Sequence, residues 1–429
     1  MELKAMSKSE LEGFYKQACE EYDGYKAKGL ALNMARGKPS AEQLDLTEGL
    51  LTAVSTNAEC YAEDGTDCRN YGIGDGLPEA KKLFAPMLGV SEDEIMVLGN
   101  SSLTIMYDNI AKFMVFGTGN GAEPWSIQAR DKKLKWLCPV PGYDRHFLIT
   151  EKFGFEMVNI PTDENGPEMD MIEKLVAEDD SIKGIWCVPM YANPTGVTYS
   201  DEVVKRLAAM KTAAKDFRIF WDNAYCIHHL NDTPDKLLNI LDEAKKAGNE
   251  ERVLMFASTS KVTYPGAGVA VMGAAKANID YIRSLMTVQS IGPDKINQLR
   301  HVKFFKDFEG VTEHMKKHAA LVAPRFAAVL DELDREIAPL GIATWTKPNG
   351  GYFISFNAMS GCAKRICQLC KEAGVVLTGA GATFPYGKDP EDSNIRIAPT
   401  YPPIDELKTA ARIFALATKI ACAEKLLGK

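Results

Sequence analysis

Between residues 95 and 272 the chain alternates short apolar runs with longer segments whose apolar residues recur at helical spacing. Ile95-Met96-Val97-Leu98, Ile185-Trp186-Cys187-Val188, Arg218-Ile219-Phe220-Trp221, Val253-Leu254-Met255-Phe256 and Val269-Ala270-Val271-Met272 read as strands. Residues 103–116 and 203–214 read as amphipathic helices. A strand that is apolar at nearly every position is buried on both faces. Such strands separated by helices predict an α/β domain with a mostly parallel sheet covered on both sides. Ligands of such sheets gather at the carboxyl ends of the strands.

The C-terminal third has another rhythm. Residues 319–337 read as a long helix, and Pro348-Asn349-Gly350 as a turn before the strand Gly351-Tyr352-Phe353-Ile354-Ser355-Phe356. Val375-Val376-Leu377 and Asn394-Ile395-Arg396-Ile397 are further strands, and residues 404–427 the last helix. This predicts a smaller α+β domain, joined by an N-terminal helix over residues 7–29. A chain of 429 residues exceeds one ordinary core. The expected division is a large domain over 51–318 and a small one made of 1–50 and 319–429.

Composition narrows the function classes. Hydrophobic residues make up 46% and charged residues 25%, ordinary globular usage. The net charge of -8 gives no electrostatic reason to bind nucleic acid or an anionic membrane. The first twenty residues lack the apolar stretch of a secretory signal, and no run is apolar enough to span a bilayer. A cytoplasmic protein is expected, with its ten cysteines as reduced thiols. Cys367 and Cys370 have C-x-x-C spacing without a second pair, so they read as one helix face rather than a metal site. His314 and His318, at i and i+4 without the glutamate of a zinc-protease pattern, read as surface residues. The adjacent His228 and His229 would point to different faces. No metal site is expected.

Four segments carry candidate chemistry. Gly99-Asn100-Ser101-Ser102 follows a strand and opens a helix, where free N–H groups and the helix dipole suit a phosphate. Asn193-Pro194-Thr195-Gly196 follows the strand near Pro189. Asp222 ends a strand, with Tyr225 three residues on. Ser258-Thr259-Ser260-Lys261 follows another strand. Each alone has a plain structural reading as a helix cap, a turn or a solvated lysine. Together, in this order on an α/β chain, they are the parts a pyridoxal-phosphate site needs. A lysine amine can condense with the aldehyde, and an acid can keep the ring nitrogen protonated. Asn193 and Tyr225 can hydrogen-bond the phenolate oxygen.

On these motifs the chain resembles the class I aminotransferases of pyridoxal-phosphate fold type I, from about Leu32 to Pro399. The resemblance implies a large domain with a sheet of the seven-stranded type. It implies that Lys261 is the Schiff-base lysine and Asp222 the partner of the ring nitrogen. It places Tyr143, in Pro141-Gly142-Tyr143-Asp144, against the ring, and Asn100 and Ser101 on the phosphate with Ser102 and Ser258 helping. Tyr71, in Tyr71-Gly72-Ile73-Gly74-Asp75-Gly76, matches the tyrosine that reaches the neighbouring subunit's phosphate, which implies a homodimer with shared sites. Arg396 matches the arginine that grips the α-carboxylate, assisted by Asn193. One position departs: where the family commonly carries a phosphate-binding arginine, eight residues after the lysine, stands Val269.

The stretch from Lys261 to Val269, with Leu32-Asn33-Met34-Ala35-Arg36-Gly37-Lys38-Pro39, looks like a divergent bacterial subgroup of aspartate aminotransferases. That implies aspartate and 2-oxoglutarate as substrates, in a ping-pong cycle. Both are dicarboxylates, and Arg36, with Gly37 in the segment entering the site, is the candidate for the distal carboxylate. The same fold also hosts aromatic and kynurenine aminotransferases and lyases. A regulatory aminotransferase-like module would need a DNA-binding domain, and too few residues precede Leu32 to make one.

Overall fold

The computed structural model describes residues 2–429. Its central sheet has eight strands, in the order Ile95–Val97, Ala270–Ala274, Val253–Ser258, Arg218–Asp222, Ile182–Cys187, Lys135–Val140, Glu156–Asp163 and Gly166–Pro167. Val253–Ser258 through Glu156–Asp163 pair in parallel. Ala270–Ala274 is antiparallel to both of its neighbours. The eighth strand is a two-residue antiparallel edge beyond the expected seven. The three strands Ile182–Cys187, Arg218–Asp222 and Val253–Ser258 are buried at every position. Helices on both faces exclude water, which is why these runs are not alternating. Even their charged residues are inside: Lys183 pairs with Asp216 at 2.8 Å, and Arg218 donates to the Thr118 carbonyl at 3.0 Å. Gly184 interrupts an otherwise large-residue strand because Trp136 lies against it. A Cβ there would sit 2.5 Å from the indole.

A second core joins the two ends of the chain. The helix Lys8–Lys26 is capped by Ser7 and Glu10 in a reciprocal capping box and buries Leu11, Ala18 and Tyr22. It shares this core with the helices Ala363–Glu372 and Ile404–Leu427. Leu32–Asn33 pairs in parallel with Val375–Val376. Ala343–Trp345, Ile354–Ala358 and Asn394–Ile397 form an antiparallel sheet in the same core.

Some elements end elsewhere than their pattern predicts. The helix expected over 203–214 is Asp201–Ala209, because it starts at the Ser200 cap. The helix expected from 319 begins at Phe308, capped by Asp307, and runs to Glu336 through Pro324. Its first turns bury Val311, His314, Met315 and His318. The surface reading of the two histidines is therefore wrong, because this part of the helix packs beneath the Lys261 segment. His314 Nε2 donates to the Val262 carbonyl at 2.8 Å, and Gln43 donates to His318 Nδ1 at 3.1 Å. No helix among the described residues is long and apolar enough to cross a membrane.

Candidate active site

A pocket opens where the parallel strands end. It is lined by Arg36, Gly37, Ser101, Ser102, Tyr143, Asn193, Asp222, Tyr225, Ser258, Lys261 and Arg396, residues drawn from sequence positions hundreds apart. Asp222 is the last residue of its strand, and Ser258 of the next. Tight turns after these strands carry Tyr225 and Lys261 back over the sheet edge. Two expected residues lie outside this pocket. Asn100 lines an adjoining cavity, and its carbonyl accepts from the Ser260 hydroxyl at 3.3 Å. Tyr71 stands at the surface, 81% exposed.

The acid is held from behind. His146 Nε2 donates to Asp222 Oδ2 at 2.9 Å, and its ring stacks on Trp186 with centroids 4.3 Å apart. Asp222 Oδ1 is buried without a partner among the described residues. An orphaned carboxylate oxygen in a pocket wall calls for a donor from a ligand. Tyr143, edge-on to His146 at 4.9 Å, has its phenol pushed up to about 12 by burial, with Asp222 and Asp144 adding to the effect. Sequence reading missed His146. The available signal was its place three residues after Tyr143, in the first turn of the helix Asp144–Lys152, on the same face.

The amine of Lys261 lies among aromatic faces, 5.1 Å from the Tyr225 ring centroid and 5.9 Å from that of Tyr352. Burial holds its ammonium below the ordinary lysine range, and the Asp222 charge opposes that in part. Burial also pushes the Tyr225 phenol well up. Nearby, the helix Ser102–Phe116 begins at Ser101, whose side chain makes no capping bond, so hydroxyl and helix N–H groups remain available. Ser258 and Ser260 hydrogen-bond each other at 3.0 Å beside it. Ser260, another residue that was missed, lines the pocket with them. Val269, where the family often has arginine, is buried in the apolar core and its N–H donates to Thr259 at 2.9 Å.

At the other end, Arg396 Nη1 donates to Asp144 at 2.9 Å and to Asn193 at 3.2 Å. Its guanidinium lies 4.9 Å from the Phe353 ring centroid. Gly37 packs on the same ring, where a Cβ would come within 2.4 Å. This contact brings the exposed Arg36 to the pocket mouth, alongside Lys38 and Arg145. The pocket thus has an amine, an oriented acid, a hydroxyl-rich helix start and a fixed guanidinium.

Comparison with known proteins agrees with this arrangement. The family model for aspartate aminotransferase matches residues 6–429. A Mycolicibacterium smegmatis protein is 47% identical over 429 residues, covering 100% of both chains. An aspartate aminotransferase of Corynebacterium glutamicum is 46% identical over 411 residues, covering 96% of this chain and 94% of its own. The crystal structure of an aspartate transaminase from the same species superposes with a TM-score of 0.96 at 44% identity, covering 99% of each chain. With a lysine, an acid and an arginine converging at the strand ends of a matching fold, the chain belongs to the aspartate aminotransferase family.

Proposed function

We propose that this enzyme moves the amino group of aspartate to 2-oxoglutarate, alternating the two substrates at one pyridoxal-phosphate site per protomer of a homodimer. The observation that carries the reading is the pair formed by Lys261 and the unpartnered Asp222 Oδ1 in one pocket with Arg396. The residues present fit the cofactor. Asp222 can hold a proton at the ring nitrogen, supported by His146. Tyr225 and Asn193 can donate to the phenolate oxygen, and Tyr143 can lie against the ring. Ser101, Ser102 and Ser258 supply hydroxyl donors for the phosphate at a helix start, with free helix N–H groups beside them. The cofactor, once bound, supplies a reactive aldehyde and a ring that withdraws electrons from the substrate α carbon.

The chain's own groups do the rest. Arg396 and Asn193 orient the α-carboxylate. Lys261, whose amine burial keeps easier to deprotonate, takes the α proton and returns it on the far side of the transfer. Arg36 reaches the distal carboxylate from the pocket mouth, a charge match for both dicarboxylates. The exposed Tyr71 reaches the partner protomer's phosphate. Borohydride reduction and peptide mapping should label Lys261 and nothing else. A label elsewhere, or a protein that takes up no pyridoxal phosphate, refutes the assignment. Keto-acid-dependent transfer, assayed against pyruvate and ammonia release, separates it from a lyase.

A further inference from the structure

The donors of Arg396 are unevenly used. Nη1 serves both Asp144, at 2.9 Å, and Asn193, at 3.2 Å. Among the described residues Nη2 reaches only Thr378 Oγ1, at 3.4 Å, long for such a bond. Nε is buried without a partner among the described residues. The one carboxylate on this guanidinium is therefore the protein's own. A carboxylate grips a guanidinium with two parallel bonds, either to Nη1 and Nη2 or to Nη2 and Nε. Burial of Nε closes the second approach, and Asp144 and Asn193 fill Nη1 in the first.

We propose that Asp144 is a stand-in carboxylate: it neutralises Arg396 between turnovers and yields Nη1 to the α-carboxylate of each incoming substrate. The proposal rests on Arg396 as the α-carboxylate anchor. Arg396 has a side chain only 8% exposed, and a buried cation left without a counter-charge is costly. Exchange of one carboxylate for another keeps it paired throughout. Asp144 is 29% exposed, so its displaced carboxylate meets water. It is also the first residue of the helix Asp144–Lys152, where the dipole favours a negative charge in either position. The competition acts on the carboxylate that all substrates share. Asp144 is thus a positioning residue that weakens every substrate equally and leaves the choice among them to the pocket mouth.

The test is Asp144→Asn, which keeps an oxygen near Nη1 and removes the charge. Calorimetric titration of the cofactor-loaded protein with succinate should show binding about 10-fold tighter than in the parent, the effect of relieving one charged competitor. The KM values for aspartate, alanine and 2-oxoglutarate should fall by a common factor, with the change in KM rather than kcat. Unchanged or weaker succinate binding overturns the proposal and leaves Asp144 as a mere support for Arg396. A second measurement uses the parent alone: in a crystal structure with succinate, Asp144 should have left Nη1. Succinate seated on Arg396 with Asp144 still bonded there overturns it equally. A parent that transaminates alanine but not aspartate would refute the proposed substrate instead, and the alanine KM would still decide the role of Asp144.

Discussion

The two sides of Lys261 treat buried polar atoms in opposite ways. Beneath it, polar groups answer one another. Gln43 donates to His318 at 3.1 Å and to the Tyr352 hydroxyl at 2.9 Å, and His314 bonds the Val262 carbonyl. Tyr352 in turn reaches the Lys261 carbonyl at 3.4 Å. On the pocket side, Asp222 Oδ1 has no partner among the described residues, and Ser101 makes no cap. A buried polar atom without a partner costs about 1–3 kcal/mol, and a charged one more, so a fold keeps such atoms where a ligand repays them. The underside positions the lysine; the pocket side is built for something else to complete. His228 is the exception. It is buried edge-on to Tyr225 and Tyr352, with both ring nitrogens unpartnered among the described residues, on the margin between the two regions.

Substitutions on the two sides should therefore differ in kind. The largest effect is expected from Lys261→Ala, which removes the proposed proton carrier. Transfer measured as keto-acid-dependent turnover should fall by at least about 10⁴-fold while the thermal midpoint holds or rises. Survival of the parent rate would end the pocket reading. Next is Asp222→Asn, which leaves His146 without its charged partner and, on the proposed function, the ring nitrogen as well. A loss of about 10²–10³-fold in kcat/KM is expected, the scale of breaking a buried charged contact. Arg36→Ala should raise the KM for aspartate by about 10-fold or more and leave alanine alone. An unchanged KM for aspartate removes Arg36 from the site.

The underside should answer through stability. Burial pushes His318 down to about 3 and lowers His314 as well. The unfolded chain, with histidine near its ordinary 6.5, then binds more protons than the folded one across that window. Stability is thus full above about pH 6.5 and falls as the pH drops toward 3, by up to about 1.4 kcal/mol per pH unit for His318. Thermal midpoints of His318→Asn against the parent should show a shallower acid slope, with kcat/KM at neutral pH changed by less than about 3-fold. A large loss of kcat/KM at full stability would blur the division between the two sides.

The strands were legible because a sheet covered on both faces leaves its mark in nearly every residue. Asn394–Ile397 and Ile404–Leu427 run as their pattern predicts. The sequence motifs that converge on the pocket were legible for a related reason: strand ends and helix starts have local signatures. His146 had only helical spacing to mark it, since its role depends on a strand 76 residues away. His314 and His318 were misread because nothing local distinguishes a polar pair facing water from one facing a buried partner.

Sequence alone determined the family, the α/β alternation and the order of the chemical groups, since these reside in local pattern and spacing. Tertiary structure alone decided which polar atoms are paired and which are left open. It set His146 behind Asp222, Asp144 on Arg396, and Gly37 against Phe353. Pairing of this kind depends on which distant segments share a boundary, and no local pattern of hydrophobicity encodes it.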